Sequence, residues 1–333
     1  MLKVKIMNSF ISDTIEYMEI GASGGLRDFG WLTSNISYLG FEANERLAQQ
    51  KLNLIKKNYD VKSVDVFPYA LSPVNNEKLY LTENTGCSSL LEPNIELLKK
   101  FEGVRKNAKS VPWSNQFNVI DQLDISAVNP AELELFKTKR IDAIQIDIQG
   151  LEYEVLSSLP NLKDVLFIDV EISLQQLYKD QKVFDQINIL MEKNDMELVS
   201  IDNRVFASRY NLTKNKYNYV PECRGDIIQF DAVYVKKSSV LINKKDPTAL
   251  MKVACLVEMV GNLPLAAFYA RESFKIKNET SVEQYINYLE QKVSNLNRQI
   301  KRMRPYIRVF NFFLRVLGSH YRADIITPRD NVR

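Results

Sequence analysis

Histidine is all but missing from this chain: of 333 residues only His320 carries an imidazole, and it lies near the C-terminus. The commonest general base, and a favoured metal ligand, are therefore absent from everything that precedes it. Cysteine is scarce too. Cys87, Cys223 and Cys255 are far apart, odd in number and form no CxxC pair, which excludes a disulfide framework and a thiolate zinc site and fits reduced thiols in a cytosolic protein. No run of about 18 apolar residues occurs, and the opening "MLKVKIMNSFISD" lacks the apolar stretch of a signal peptide, so no segment is expected to span a membrane. The formal charge of +3 is too small to point to nucleic acid as a partner. What is present is ordinary for a globular protein with a substantial core: 45% hydrophobic and 26% charged residues.

From residue 15 to about 235, short β-branched and aromatic runs alternate with helical patterns. "IEYMEI", "ISYLGFE", "VKSVDVFPYAL", "IDAIQIDI", "VLFIDVEI", "MELVSI" and "FDAVYVK" read as strands. "NERLAQQKLNLIKKN", "LEYEVLSSL" and "QKVFDQINILMEKN" read as helices between some of them. Such alternation predicts an α/β fold with a mostly parallel sheet covered on both faces. "EKLYLTEN" alternates as an added strand or hairpin, and "FDAVYVK" follows "MELVSI" with no helix between them, so the last strand is expected to be antiparallel.

The pattern then changes, and four segments are expected: 1–240, 241–280, 281–304 and 305–333. "DPTALMKVACLVEMV" opens with a helix-start signal and ends at Gly261-Asn262, and "LPLAAFYARESFKIK" follows at once, predicting a helical hairpin subdomain. In "VEQYINYLEQKVSNLNRQIKRM", Ile286, Val293 and Ile300 take heptad a positions, with Val282, Leu289, Leu296 and Met303 at d. This reads as a parallel coiled coil joining protomers through 282–303, or as an amphipathic helix packed on its own domain. Beyond Pro305, "YIRVFNFFLRVLG" is apolar apart from Arg308, Asn311 and Arg315 and has basic neighbours. Residues 304–317 could lie in a membrane headgroup region or be buried in an oligomer. From Ser281 onward, ten Lys and Arg face four Asp and Glu.

The stretch "IEYMEIGASGGL" ends a strand on a glycine turn, as nucleotide sites do. The G-x-G-x-x-G spacing of a dinucleotide site is not met: Ser23 and Leu26 stand where the second and third glycines belong. A second strand, in "ISYLGFEANE", ends in Glu42, where a carboxylate can accept both ribose hydroxyls of an adenosine. Glu19 adds negative charge beside the turn, which suits a cationic ligand better than a phosphate. S-adenosylmethionine, an adenosine bearing a sulfonium, meets these terms. A nicotinamide dehydrogenase conflicts with the glycine spacing and lacks its histidine.

In order along the chain, "MEIGASGG", "LGFEANE", "PYALS", "GCSSLLEPN", "LDIS", "IDAIQIDIQGLEYEVL" and "VEISLQQLY" resemble the FkbM family of S-adenosylmethionine-dependent methyltransferases over roughly residues 15 to 235. The resemblance implies a Rossmann-like class I methyltransferase sheet of the seven-strand type, here with a helical C-terminal extension. It implies that Glu19, Gly21 and Gly24 border the methionine side of the cofactor and that Glu42 holds the ribose. Ala70, Leu71 and Ser72 would lie near the adenine, and Asp147 where methyl donor and acceptor meet. Two departures stand out: Gln145 replaces a usual Lys, and Ala43 a common Pro.

Methylating a hydroxyl requires that its proton leave, and with histidine absent the base must be a carboxylate. Asp147, Glu152 and Glu171 are expected at the carboxyl edge of the sheet, with Asp147 the first choice. Glu152 could instead serve the helix dipole and Glu171 bond to the following loop. The three could also hold a divalent ion, a reading ranked lower because no histidine or supporting motif joins them. Ser88, Ser89 and Tyr178 are candidates for contact with the acceptor, or for local bonding and packing. Asp121 and Asp124 read as organising a turn before a helix. The tyrosine-rich "RYNLTKNKYNYVPECRG" suits a carbohydrate surface or a solvated loop. The resemblance implies O-methylation, with a sugar hydroxyl of a bacterial surface glycan or related metabolite as acceptor. A cytoplasmic enzyme is expected, at the inner face of the membrane if the tail binds there. The alternative is a non-catalytic oligomeric scaffold built on a degenerate methyltransferase fold.

Overall fold

The computed structural model describes residues 10–22, 27–75, 77–101, 104–106, 109–111, 113–207, 209 and 226–316, and only the backbone at 104–106, 109–111 and 303–316. Gly24, Cys223, His320 and nearly all of the 209–225 segment lie outside them.

Seven strands form one sheet: β1 (Ile15–Ile20), β2 (Ile36–Phe41), β3 (Ser63–Phe67), β4 (Ala143–Ile146), β5 (Phe167–Ser173), β6 (Met196–Ala207) and β7 (Asp226–Lys236). Their order is β3-β2-β1-β4-β5-β7-β6. The first five are mutually parallel, and β7 runs antiparallel to both of its neighbours. β6 and β7 pair along nearly their whole length, from Met196 with Lys236 to Ala207 with Asp226. All six residues of β2 are buried, as a strand covered on both faces requires.

Crossover helices cover one face and part of the other. Helices α1 (Glu45–Asn58), α2 (Glu152–Ser158) and α3 (Phe184–Lys193) follow β2, β4 and β5. Asn44 caps α1 by accepting the Leu47 N–H at 3.1 Å. Behind α2 and α3 lies an apolar layer that includes Met18, Ile20, Leu39, Ile144, Val155, Ile168 and Ile187.

The opposite face is covered differently. Between β1 and β2 the described residues hold only a 3-10 turn, Gly30–Asn35. The side chains of Ile15, Tyr17, Ile36 and Tyr38 are buried instead against helices from the end of the chain. These are α4 (Ser238–Asn243), α5 (Pro247–Met259), α6 (Leu263–Ile276) and α7 (Thr280–Val316). The sequence divides 1–240 from a hairpin at 241–280, but the structure joins them in one core. The reason is composition: nine of the thirteen α5 residues are buried, so this helix has no face left for solvent.

Helix α7 runs without interruption through Pro305. Its heptad seam is also split: Val282 and Leu289 are buried against their own domain, together with Tyr285, whereas Val293 and Leu296 are 38% and 45% exposed. "VIDQLDI" is likewise not a turn before a helix. Val119–Ile125 is a strand paired antiparallel with Glu77–Thr82, and Asp121 and Asp124 are exposed on it. Among the described residues, no helix is long and apolar enough to cross a membrane.

Candidate active site

Strand order reverses between β1 and β4, which sets a crevice at their carboxyl ends. Ile20 pairs with Ile146, so the next residues of each strand, Gly21 and Asp147, emerge side by side. Gly21 has φ +85°, and a Cβ there would stand 2.0 Å from the Asp147 carbonyl oxygen. Only glycine permits that approach and that backbone conformation. The N–H groups of Gly21 and Ala22 both donate to the Phe41 carbonyl at 3.0 Å, pinning the start of the turn to β2.

A cleft of about 960 Å³ opens here. Gly21, Glu42, Ala70, Leu71, Ser88, Asp147 and Gln149 are in its lining, with Leu79, Leu81, Leu123 and Ile125 supplying an apolar wall from the paired strands at 77–82 and 119–125. Glu42 ends β2 with one oxygen accepting the Asn44 N–H at 2.9 Å, and burial raises its carboxyl above the ordinary range. Ala70 and Leu71 pair with Ala127 and Val128 and present a short backbone edge. A carboxylate at the end of β2, a glycine turn at the end of β1 and an apolar wall are a donor set that fits an adenosine with a charged tail. S-adenosylmethionine is therefore compatible with the residues present.

Several predicted residues sit elsewhere. Glu19 is buried away from the cleft, accepting from the Tyr38 hydroxyl at 2.5 Å and Lys51 Nζ at 2.9 Å. Burial raises its carboxyl and the Lys51 charge opposes that. As a side chain of β1 it points to the face that α1 covers, whereas Gly21, beyond the strand end, turns into the cleft. Ser72 is fully buried and donates to Glu77 at 2.8 Å. Gln145, where a lysine was expected, accepts from the Tyr17 hydroxyl at 2.5 Å.

The carboxylates divide by environment. Asp147 is exposed to the cleft. Glu152 is buried, and its oxygens accept the N–H groups of Ile148 at 3.1 Å and Gly150 at 3.0 Å. It ties the 148–150 loop rather than facing the cleft, and burial, reinforced by the Asp147 charge, pushes it up to about 7. Glu171 is half-buried, and burial, then the charges of Asp147 and Glu152, hold it well above the carboxylate range. Among the described residues, no group of three or more His, Cys, Asp or Glu is placed to hold a metal ion.

Of the predicted acceptor contacts, only Ser88 remains half-exposed at the cleft, where its Oγ accepts the Thr82 N–H at 3.1 Å. Ser89 is buried and donates to the Gln149 carbonyl at 2.7 Å. Tyr178 is buried, its hydroxyl 2.9 Å from the Cys87 carbonyl and 3.0 Å from Gln149 Oε1. These bonds converge on a residue that sequence reasoning passed over. Gln149 has φ +59°, and its amide nitrogen donates to Asp147 Oδ1 at 2.8 Å and Glu171 Oε2 at 2.6 Å. Its signal was present in "IDIQGLE": a long side chain directly before a glycine, beside the first-choice base.

A family model described as a methyltransferase FkbM domain matches residues 27–198, just over half of the chain. No curated protein matches. Solved structures similar to this chain include magnesium protoporphyrin IX methyltransferase from Synechocystis PCC 6803 with bound SAM, at 8% identity over 71% of this chain and 76% of that one, with a TM-score of 0.33. A TehB-like SAM-dependent methyltransferase from Corynebacterium glutamicum aligns at 9% identity over 71% and 87%, with a TM-score of 0.29. An rRNA methylase from Streptococcus thermophilus aligns at 7% identity over 71% and 94%, with a TM-score of 0.30.

Proposed function

The chain belongs to the FkbM methyltransferase family, and from that premise we propose that it is an O-methyltransferase acting on a sugar hydroxyl of a bacterial surface glycan or a related metabolite. The observation that carries this reading is Asp147, a carboxylate open to the cleft and held beside the glycine turn. When bound, S-adenosylmethionine supplies a methyl group already activated on a sulfonium. Gly21, Glu42, Ala70 and Leu71 are the residues that would hold it. What remains for the chain is to align an acceptor oxygen, exclude water and accept a proton. Asp147 is the group that receives the hydroxyl proton. Glu171 stands beside it as a second carboxyl, and Glu152 holds the loop between them. Leu79, Leu81, Leu123 and Ile125 keep one wall of the cleft dry.

Titration calorimetry of the full chain with S-adenosylmethionine, S-adenosylhomocysteine and NAD tests the cofactor part. Binding of the first two, lost in Glu42→Ala, is the expected result. No binding of either would leave a non-catalytic scaffold as the better reading. A screen of sugar hydroxyl acceptors with labelled donor then tests the chemistry, and incorporation only into nitrogen or carbon positions would sink O-transfer.

For the C-terminal end we propose self-association through the part of α7 that its own domain leaves uncovered, around Val293 and Leu296. Peripheral contact of 304–317 with the inner face of a membrane would concentrate the active sites near a lipid-linked acceptor. Deleting 304–333 should then abolish partition onto anionic vesicles; unchanged partition would remove the membrane proposal.

A further inference from the structure

A carboxamide can give hydrogen bonds to two carboxylates and accept one from a phenol at the same time. Gln149 is placed to do so with Asp147, Glu171 and Tyr178, whose single hydroxyl proton is shared between Gln149 Oε1 at 3.0 Å and the Cys87 carbonyl at 2.9 Å. Its backbone lies in the left-handed region at φ +59°, a conformation costly for a residue with a full side chain. The conformation is held by Ser89 Oγ on the Gln149 carbonyl at 2.7 Å and by Glu152 on the following Gly150 N–H at 3.0 Å. Gly150, at φ +120°, lies so close under the Tyr178 ring that a Cβ would meet it at 3.0 Å. Strain of this kind, held from several sides beside a cleft, indicates a geometry kept for use.

We propose that Gln149 is the positioning residue of methyl transfer: its amide holds Asp147 and Glu171 as a pair, with Asp147 aimed into the cleft to take the acceptor's hydroxyl proton. The inference rests on the O-methyl transfer proposed above. In the step the acceptor O–H bond breaks and a proton moves to Asp147 Oδ, from which it passes to water after product leaves. The oxygen keeps the electron pair that would form its bond to the methyl carbon, while the carbon–sulfur bond of the donor would break and leave its pair on the neutral thioether.

The surroundings explain why such a residue is needed. Around Glu171 stand Asp147 at the end of β4, Glu152 at the start of α2, Asp231 as its register partner on β7, and the Tyr178 phenol. Asp231 accepts from Asn203 at 2.6 Å, and the Arg27 guanidinium, paired with Asp169, acts on it from the β1–β2 connection. Four acids crowd one edge, and like charges resist ionising together. The two N–H donors of Gln149 stabilise the charged forms of Asp147 and Glu171 where the acceptor must find a base.

The test compares affinities for cationic S-adenosylmethionine and neutral S-adenosylhomocysteine between pH 5 and 8.5. In the natural protein the preference for the cation should rise with pH as Glu171, raised by burial and its acidic neighbours, ionises. Gln149→Leu removes both donors, so the midpoint of that rise should move up by about one pH unit. Tyr178→Phe keeps the ring on Gly150 and releases the amide, so it should shift the midpoint in the same direction by less. It decides the matter if Gln149→Leu shows no cooperative melt. Weaker binding with an unmoved midpoint would mean a structural role alone and overturns the proposal. Failure of the natural protein to bind either compound would overturn the methyl-transfer reading itself, and the proposal with it.

Discussion

The two faces of the sheet are built from different parts of the chain. One is covered by α2 and α3, helices that lie between the strands they cross, over an apolar layer with the half-buried Glu16–Lys139 pair and the buried Lys236 beside it. The other is covered in part by α1 and otherwise by α5, α6 and α7, which arrive after all seven strands. On that second face the extension brings two acid–lysine pairs, Asp142 with Lys252 and Glu258 with Lys292. A crossover helix is placed by its short connections, whereas a helix docking from a distance must find its register by contact. Buried pairs add little net stability but penalise other dockings, because a shifted helix would strand a charge. The difference teaches that the extension is the missing half of the fold.

The strongest way to break that comparison is to remove the extension. A fragment ending at Lys237 would expose Ile15, Tyr17, Ile36 and Tyr38, each at most 1% accessible in the full chain. At roughly 2 kcal/mol per buried side chain, those four and the helix residues they pack on exceed the 5–15 kcal/mol of a typical fold. The fragment should show no cooperative thermal transition, while deletion of 303–333 should leave melting unchanged. A fragment 1–237 that melts cooperatively would mean the second face does not need its remote cover.

A single residue makes the next largest test. Glu258 on α5 accepts from Trp31 Nε1 at 3.3 Å, the Tyr285 and Tyr288 hydroxyls at 2.9 Å and Lys292 Nζ at 2.7 Å. It joins α7 to the segment between β1 and β2. Glu258→Ala removes the acceptor these donors share and should cost about 4 kcal/mol in denaturant unfolding. A loss below about 1 kcal/mol would show that apolar contacts alone dock the helix.

The same contrast marks what could be read in advance. Strands and crossover helices were legible because their apolar periods change from two to near four within a few residues, and the antiparallel β7 followed from the absent helix before it. The helices of the extension were legible too, from Asp246-Pro247 and Gly261-Asn262. Their destination was not, since periodicity reports that a face is apolar without naming what covers it. Asp147, Glu42 and Gly21 fall in the cleft lining because each stands at a strand end, where a one-dimensional pattern fixes direction. Glu19, two residues before the turn at Gly21, lies away from the cleft because strand alternation sends its side chain toward Tyr38 and Lys51. Gln149 was missed because its role depends on three partners, Glu171, Tyr178 and Ser89, from elsewhere in the chain.

Acids at the cleft edge supply a smaller test with a defined sign. Glu152 rises to about 7 in the folded chain because it is buried, from an ordinary value near 4.5. The folded state therefore holds a proton that the unfolded chain releases between those values. Stability from this group is full below pH 4.5 and is lost as pH rises through 7, by about 3 kcal/mol at most. Glu19, Glu42, Glu171 and Asp231 are raised as well and act in the same direction. Unfolding free energy should fall from pH 5 to pH 8, and Glu152→Gln should flatten part of that slope. A stability that rises over the interval would contradict the burial of these groups.

The smallest expected effect on folding lies farthest from the sheet, on α7 beyond the clamp at Glu258. Val293 and Leu296 continue the seam that Val282 and Leu289 begin, yet they touch solvent where the first two touch α6 and its neighbours. One helix thus repeats the contrast between a covered and an uncovered face along its own length. Val293→Asp and Leu296→Asp should each change the stability of the single chain by less than about 0.5 kcal/mol, whereas Leu289→Asp should unfold it, because a charge buried there has no partner. If a second copy covers the outer seam, sedimentation should show association in the natural protein and its loss in the Val293→Asp, Leu296→Asp double variant. If association is unchanged, the outer seam is not the interface and the heptad pattern past Leu289 needs another occupant.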